Sequence, residues 1–95
     1  MPRKIEGKVV SISESGNLIT DISCATLAEA PRDGTVSIRC DEHETVGLFT
    51  TSHNEPETSF LALLGEGGFL ELTIVGDSAK MMLGIRAGER VCVQW

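Results

Sequence analysis

The chain has 95 residues, 41% of them hydrophobic, enough for one domain with a thin core, since a protein this short buries only about two thirds of its unfolded surface. Fourteen acidic against eight basic residues give a net charge of −6, which repels a phosphate backbone and excludes nucleic acid as the expected partner. The longest apolar run, Phe60 to Leu64, is far short of the ~20 residues of a membrane span, so no membrane contact is expected either.

Two-residue alternation dominates and helical periodicity is nearly absent, which predicts an all-β fold, a small antiparallel barrel of roughly seven strands. The chain opens with Met1, Pro2, Arg3 and Lys4, which no apolar stretch of signal-peptide length follows, because Glu6, Gly7 and Lys8 intervene. A first strand is expected over about Ile5 to Ser13, with Val10 and Ile12 on one face and Gly7, Val9 and Ser11 on the other. Glu14, Ser15, Gly16 and Asn17 are turn formers, and they predict a hairpin into a second strand, Leu18 to Ser23.

Thr26 and Glu29 have capping-box spacing, but Pro31 and Gly34 limit any helix there to about one turn. Thr35 to Cys40 and Val46 to Thr51 alternate as strands and read as a second hairpin, joined by the charged loop Asp41 to Thr45. A polar segment, Ser52 to Ser59, precedes the apolar strand Phe60 to Leu64. Gly65, Glu66, Gly67 and Gly68 lead into another strand, Phe69 to Val75. They lack the third glycine of GxGxxG and the Lys-Ser/Thr of a P-loop, and a strand follows where a phosphate cradle needs a helix, so a hairpin turn is expected. Asp77 as N-cap and Gly84 at C′ predict a helix of about two turns. The closing strand, Arg90 to Trp95, sets Val91, Val93 and Trp95 on one face.

Cys24, Cys40 and Cys92 form no CxxC pair and read as buried or strand residues in a reducing cytoplasm. A metal site built from His43 and His53 can be drawn, but neither neighbourhood has ligand spacing, and solvated charged loops are the expectation for both. No nucleophile elbow is present, so no catalytic residue is assigned.

Two stretches carry a more specific pattern. Ser13, Glu14, Ser15, Gly16, Asn17, Leu18, Ile19, Thr20, Asp21, Ile22 is similar to Asp-x-Phe-Gly-Asn-Leu-Ile-Thr-Asn-Ile. Glu66, Gly67, Gly68, Phe69, Leu70, Glu71, Leu72, then Asp77, Ser78, Ala79, Lys80 and Leu83, Gly84, is similar to a small residue, x, Gly, aromatic, Leu-Glu-Ile, followed by Gly-Asn-Ala-Ala and Leu-Gly. Gly88, Glu89, Arg90, Val91 is similar to a closing Gly-Asp-x-Val. Together they resemble the C-terminal domain of the S-adenosylmethionine hydroxide adenosyltransferase and halogenase family, the group that includes fluorinases and chlorinases, over nearly the whole chain.

The resemblance implies a β-barrel that packs in a trimer against a neighbour's catalytic domain, with a nucleoside between them. Asn17 would contact the ribose or amino-acid part of adenosine or S-adenosylmethionine, and Ser78 and Ala79 would offer backbone N–H groups to adenine. Ser15 stands where the family has its stacking aromatic, Ser13 where it has an acid, Asp21 where it has Asn, and Glu66 where it has Ser. Phe49 and Phe69 could stack on a base instead, against a core role for each. Gly16 and Asn17 serve a hairpin turn equally well as a ligand. A counterpart of the catalytic domain is not expected among these residues. The expectation is therefore a noncatalytic module, with no cofactor beyond adenosine or S-adenosylmethionine as ligand, that self-associates or binds nucleoside weakly. The alternative is a subunit that completes an adenosyltransferase or halogenase in trans with a separate catalytic partner, where hydroxide or halide displaces methionine at the ribose 5′ carbon.

Overall fold

In the computed structural model, residues 3–50, 54–65 and 67–95 are described. The described residues form eight strands and one short α-helix: β1 (Lys4–Ile12), β2 (Leu18–Ser23), β3 (Ser37–Cys40), β4 (His43–Val46), β5 (Leu48–Thr50), β6 (Phe60–Leu64), β7 (Phe69–Ile74), α1 (Ala79–Leu83) and β8 (Arg90–Gln94). They make one sheet in the order β4-β3-β8-β1-β2-β7-β6-β5, antiparallel except for the parallel pair β5–β6. The edge strands β4 and β5 are consecutive in the chain and joined through Gly47, so the sheet curls until its edges come near each other. Thr45 Oγ1 on β4 donates to the Phe60 carbonyl on β6 at 2.8 Å and helps to close the seam. The result is the expected all-β, barrel-like fold.

The interior is filled by alternate residues of several strands: Leu18 and Ile22 of β2, Ile38 and Cys40 of β3, Leu70 and Leu72 of β7, and Val91 and Val93 of β8, none more than 3% exposed. Trp95 packs against this cluster, as its shared face with Val91 and Val93 predicts. Thr20 also points inward and is fully buried. Its hydroxyl donates to the Leu70 carbonyl at 2.7 Å and accepts from the Ile22 N–H at 3.2 Å, which offsets the loss of water.

Several elements depart from the sequence expectation for local reasons. In β1 the register jumps from Val9↔Thr20 to Ser11↔Ile19, leaving Val10 as the extra residue of a bulge. The bulge reverses the alternation, so Val9 is buried, Ile12 packs on the core and Val10 stays 47% exposed. Only four residues of the 3₁₀ type, Cys24–Leu27, form where the capping box suggested a turn, and Ser23 rather than Thr26 caps them, accepting from the Ala25 N–H at 3.1 Å.

The second hairpin is tighter than its charge suggests. β3 pairs with β4 across a turn at Asp41 and Glu42, with Asp41 at φ 57°. His43, Glu44 and Thr45 therefore lie in a strand and not in a loop. The segment Leu48–Thr50 does not return to β3 but crosses the barrel to pair with β6. Gly47 makes the switch possible at φ 86°, with its N–H bonded to the Val36 carbonyl at 3.0 Å. Thr51, His53 and Glu66 lie outside the described residues.

Candidate functional site

The glycine-rich stretch after β6 is the predicted hairpin turn: Gly65 N–H donates to the Phe69 carbonyl and Gly68 N–H to the Gly65 carbonyl, at 3.1 and 3.0 Å. The turn between β1 and β2 likewise closes through Ser13 N–H to Asn17 O and Gly16 N–H to Ser13 O, both 2.9 Å. This second turn is pressed onto the start of α1. Lys80 N–H donates to the Gly16 carbonyl at 3.0 Å, and a Cβ on Gly16 would fall 2.0 Å from Ser78 Oγ and 2.8 Å from Ser78 Cα. Gly16 is held at φ 89°, so both the conformation and the close approach require glycine.

That contact brings together two of the three residues proposed to face a ligand. Asn17 and Ser78 lie on the wall of an open cleft of about 650 Å³, which Ser15, Leu63, Glu71, Thr73, Gly76 and Asp77 also line. Ala79 is fully buried beneath it, and its methyl group belongs to the core. Phe49 and Phe69 are not on the cleft wall. Phe49 is half-buried with its ring over Gly47, and Phe69 is 43% exposed, which corrects the expectation of a core role for Phe69.

Strand pairing orients the cleft floor. Leu18 lies opposite Leu72, so Asn17 and Thr73 meet at the end of the β2–β7 ladder. Thr73 Oγ1 donates to Asn17 Oδ1 at 2.6 Å, which fixes the amide so that Nδ2 faces Glu71 Oε1 at 3.5 Å. The Asn17 N–H is held separately by Ser13 Oγ at 3.0 Å. Asn17 thus has a structural task in the turn and a fixed orientation in the cleft.

Glu71 and Thr73 carry no role in the sequence reading, although Glu71 falls inside the motif that defines the resemblance. Their signal is the outward parity of β7, which puts residues 71 and 73 on the face opposite Leu70 and Leu72. Leu61 and Leu63 of β6 share that parity and are only 5% and 6% exposed, although they are not part of the core cluster.

The helix differs from its prediction. It has five residues, and Ser78 rather than Asp77 is the N-cap, its Oγ accepting from the Met81 N–H at 3.3 Å. Asp77 Oδ1 instead accepts from the Ser78 N–H at 2.8 Å. The Ser78 N–H proposed to face adenine is therefore already paired with this carboxylate. Gly84 ends the helix in the left-handed conformation at φ 67°. His43 on β4 reaches the same end, with Nε2 3.1 Å from the Leu83 carbonyl oxygen.

Among the described residues no three His, Cys, Asp or Glu side chains gather as metal ligands, and no helix is long and apolar enough to cross a membrane. The cysteines are free thiols; Cys40 is buried and Cys24 half-buried. Burial, with Glu89 and Asp41 nearby, pushes the Cys40 thiol up to about 11.

The profile of the S-adenosylmethionine (SAM) hydroxide adenosyltransferase C-terminal domain matches residues 7–92. The chain belongs to that family. An uncharacterized conserved protein from Thermotoga maritima superposes with a TM-score of 0.75 at 21% identity, over 95% of this chain and 35% of its own. A conserved hypothetical protein from Thermus thermophilus superposes with a TM-score of 0.70 at 29% identity, over 93% of this chain and 34% of its own. The chain of this SAM hydroxide adenosyltransferase C-terminal domain thus spans about a third of the length of these solved structures. No curated protein matches it.

Proposed function

We propose that this domain is a noncatalytic β-barrel module whose cleft between the β1–β2 turn and the start of α1 binds adenosine or S-adenosylmethionine weakly. The observation that supports this reading is the convergence of Asn17 and Ser78, distant in sequence, on one cleft wall in a chain of this family. A volume of about 650 Å³ is in the range of small-molecule sites, and the Thr73 bond pre-orients the Asn17 amide, which spares a ligand that ordering cost. Ser15 on the cleft wall offers a hydroxyl in place of a stacking ring, consistent with low affinity, since such stacking is worth roughly 1 to 3 kcal/mol. The Asp77 carboxylate on the Ser78 N–H acts in the same direction.

Titration calorimetry with adenosine and S-adenosylmethionine tests the reading. Millimolar affinity that falls in Asn17→Ala supports it; no heat at millimolar ligand leaves only a scaffold role. We also propose that the domain self-associates, as a trimer by family likeness. Light scattering during size-exclusion tests this, and a monodisperse monomer contradicts it.

We propose as a second reading, from family membership, that the domain supplies the nucleoside-facing wall to a catalytic domain on a separate chain. Mixing the two chains would then raise S-adenosylmethionine turnover above that of the catalytic chain alone. Unchanged turnover would eliminate this reading.

A further inference from the structure

Glu71 is a carboxylate for which three separate elements make room. Its strand, β7, places it on the outward face between Ile19 of β2 and Leu63 of β6. From the β1–β2 turn, Asn17 Nδ2 faces Oε1. From the β6–β7 turn, Gly65 leaves the space that Oε2 occupies, since a Cβ there would fall 2.3 Å from that oxygen. A side chain at residue 65 would displace the carboxylate.

The group so held is half-buried and on the cleft wall. Among the described residues it forms no ion pair, the salt bridges being Arg3–Glu29 and Lys4–Glu6, both remote from the cleft. Among the described residues the cleft lining includes a second carboxylate, Asp77, and no Lys, Arg or His. A partly desolvated anion with one long amide contact favours a cation beside it, and a concave, acidic wall strengthens the field such a ligand meets.

We propose that Glu71 is the specificity-determining counter-charge of the cleft, selecting a nucleoside that carries a sulfonium over its neutral thioether and rejecting phosphorylated ones. The proposal rests on the nucleoside reading above and adds to it a charge preference and the residue that sets it. No described residue of the lining would neutralise a phosphate, so adenosine monophosphate meets two carboxylates there.

The test is calorimetry with S-adenosylmethionine, S-adenosylhomocysteine and adenosine monophosphate at low salt. The first two differ by the methyl group and the positive charge at sulfur. The wild-type domain should bind S-adenosylmethionine about tenfold more tightly than S-adenosylhomocysteine, equivalent to about 1.4 kcal/mol, and adenosine monophosphate least. In Glu71→Gln, which keeps an acceptor for Asn17, the ratio should fall to within about twofold while the melting temperature stays unchanged. Glu71→Asp, with the charge withdrawn by one methylene, should fall between. The wild-type ratio should also shrink as salt rises. Equal wild-type affinity for the sulfonium and the thioether, or a ratio that survives Glu71→Gln, overturns the charge preference and leaves nucleoside binding standing. Absence of heat with every nucleoside overturns both.

Discussion

At the scale of single residues, Gly16 decides whether the cleft exists. Its φ of 89° is costly for any residue with a Cβ, and the added atom would strike Ser78 at both backbone and side chain. Gly16→Ala should destabilise the domain by about 2 to 3 kcal/mol in urea melts and weaken adenosine binding with it. A change under about 0.5 kcal/mol would show that the turn and α1 are not locked together. Cys40 gives a second prediction, set by pH. Burial raises its folded pKa from an ordinary 9.0 to about 11, so the unfolded chain loses its proton first as pH rises. The stability this group contributes is therefore full below pH 9 and is lost between about pH 9 and 11. Cys40→Ala, compared with wild type across that interval, should flatten the alkaline decline; parallel curves would contradict the assignment. In the native state Cys40 should also react more slowly with thiol reagents than the half-buried Cys92.

At the scale of elements, α1 is too short to be stable alone and is held by its ends. Ser78 caps it, the Gly16 carbonyl takes the Lys80 N–H, and His43 meets the Leu83 carbonyl. Ser78→Ala should cost about 1 kcal/mol and lower nucleoside affinity, because cap and cleft wall are one residue. Unchanged affinity in the folded variant would remove Ser78 from the site. This element also shows what the sequence makes legible. Gly84 marked the helix end because a left-handed C′ residue has a chemical preference, whereas Asp77 and Ser78 are both good caps and only the fold chose between them. The β1–β2 and β6–β7 hairpins were legible from Gly16-Asn17 and the glycines at 65, 67 and 68. β4 was not, since charge in Asp41 to Thr45 suggested solvent although an outer strand also faces solvent. The bulge at Val10 and the parallel β5–β6 pair depend on long-range register, which local alternation does not encode. In the cleft, Asn17 and Ser78 were legible through the family resemblance. Glu71 and Thr73 became visible only once β7 was seated beside β2.

At the scale of the whole molecule, the barrel divides its surfaces by strand parity. Inward residues fill one core, while the outward face of β7 and β6, buried at Leu61, Leu63 and Thr73, leads into the cleft. Because β4 and β5 are consecutive and Thr45 bridges to β6, little unpaired edge is left among the described residues, so the self-association proposed above should use side-chain surfaces rather than strand addition. Amide chemical-shift mapping of the isotope-labelled domain during titration with adenosine tests the central claim most directly. Perturbations should cluster at Ser15, Asn17, Thr73, Gly76 and Ser78 and saturate at millimolar ligand. Shifts confined to the opposite side of the barrel, or a spectrum indifferent to adenosine, would contradict it.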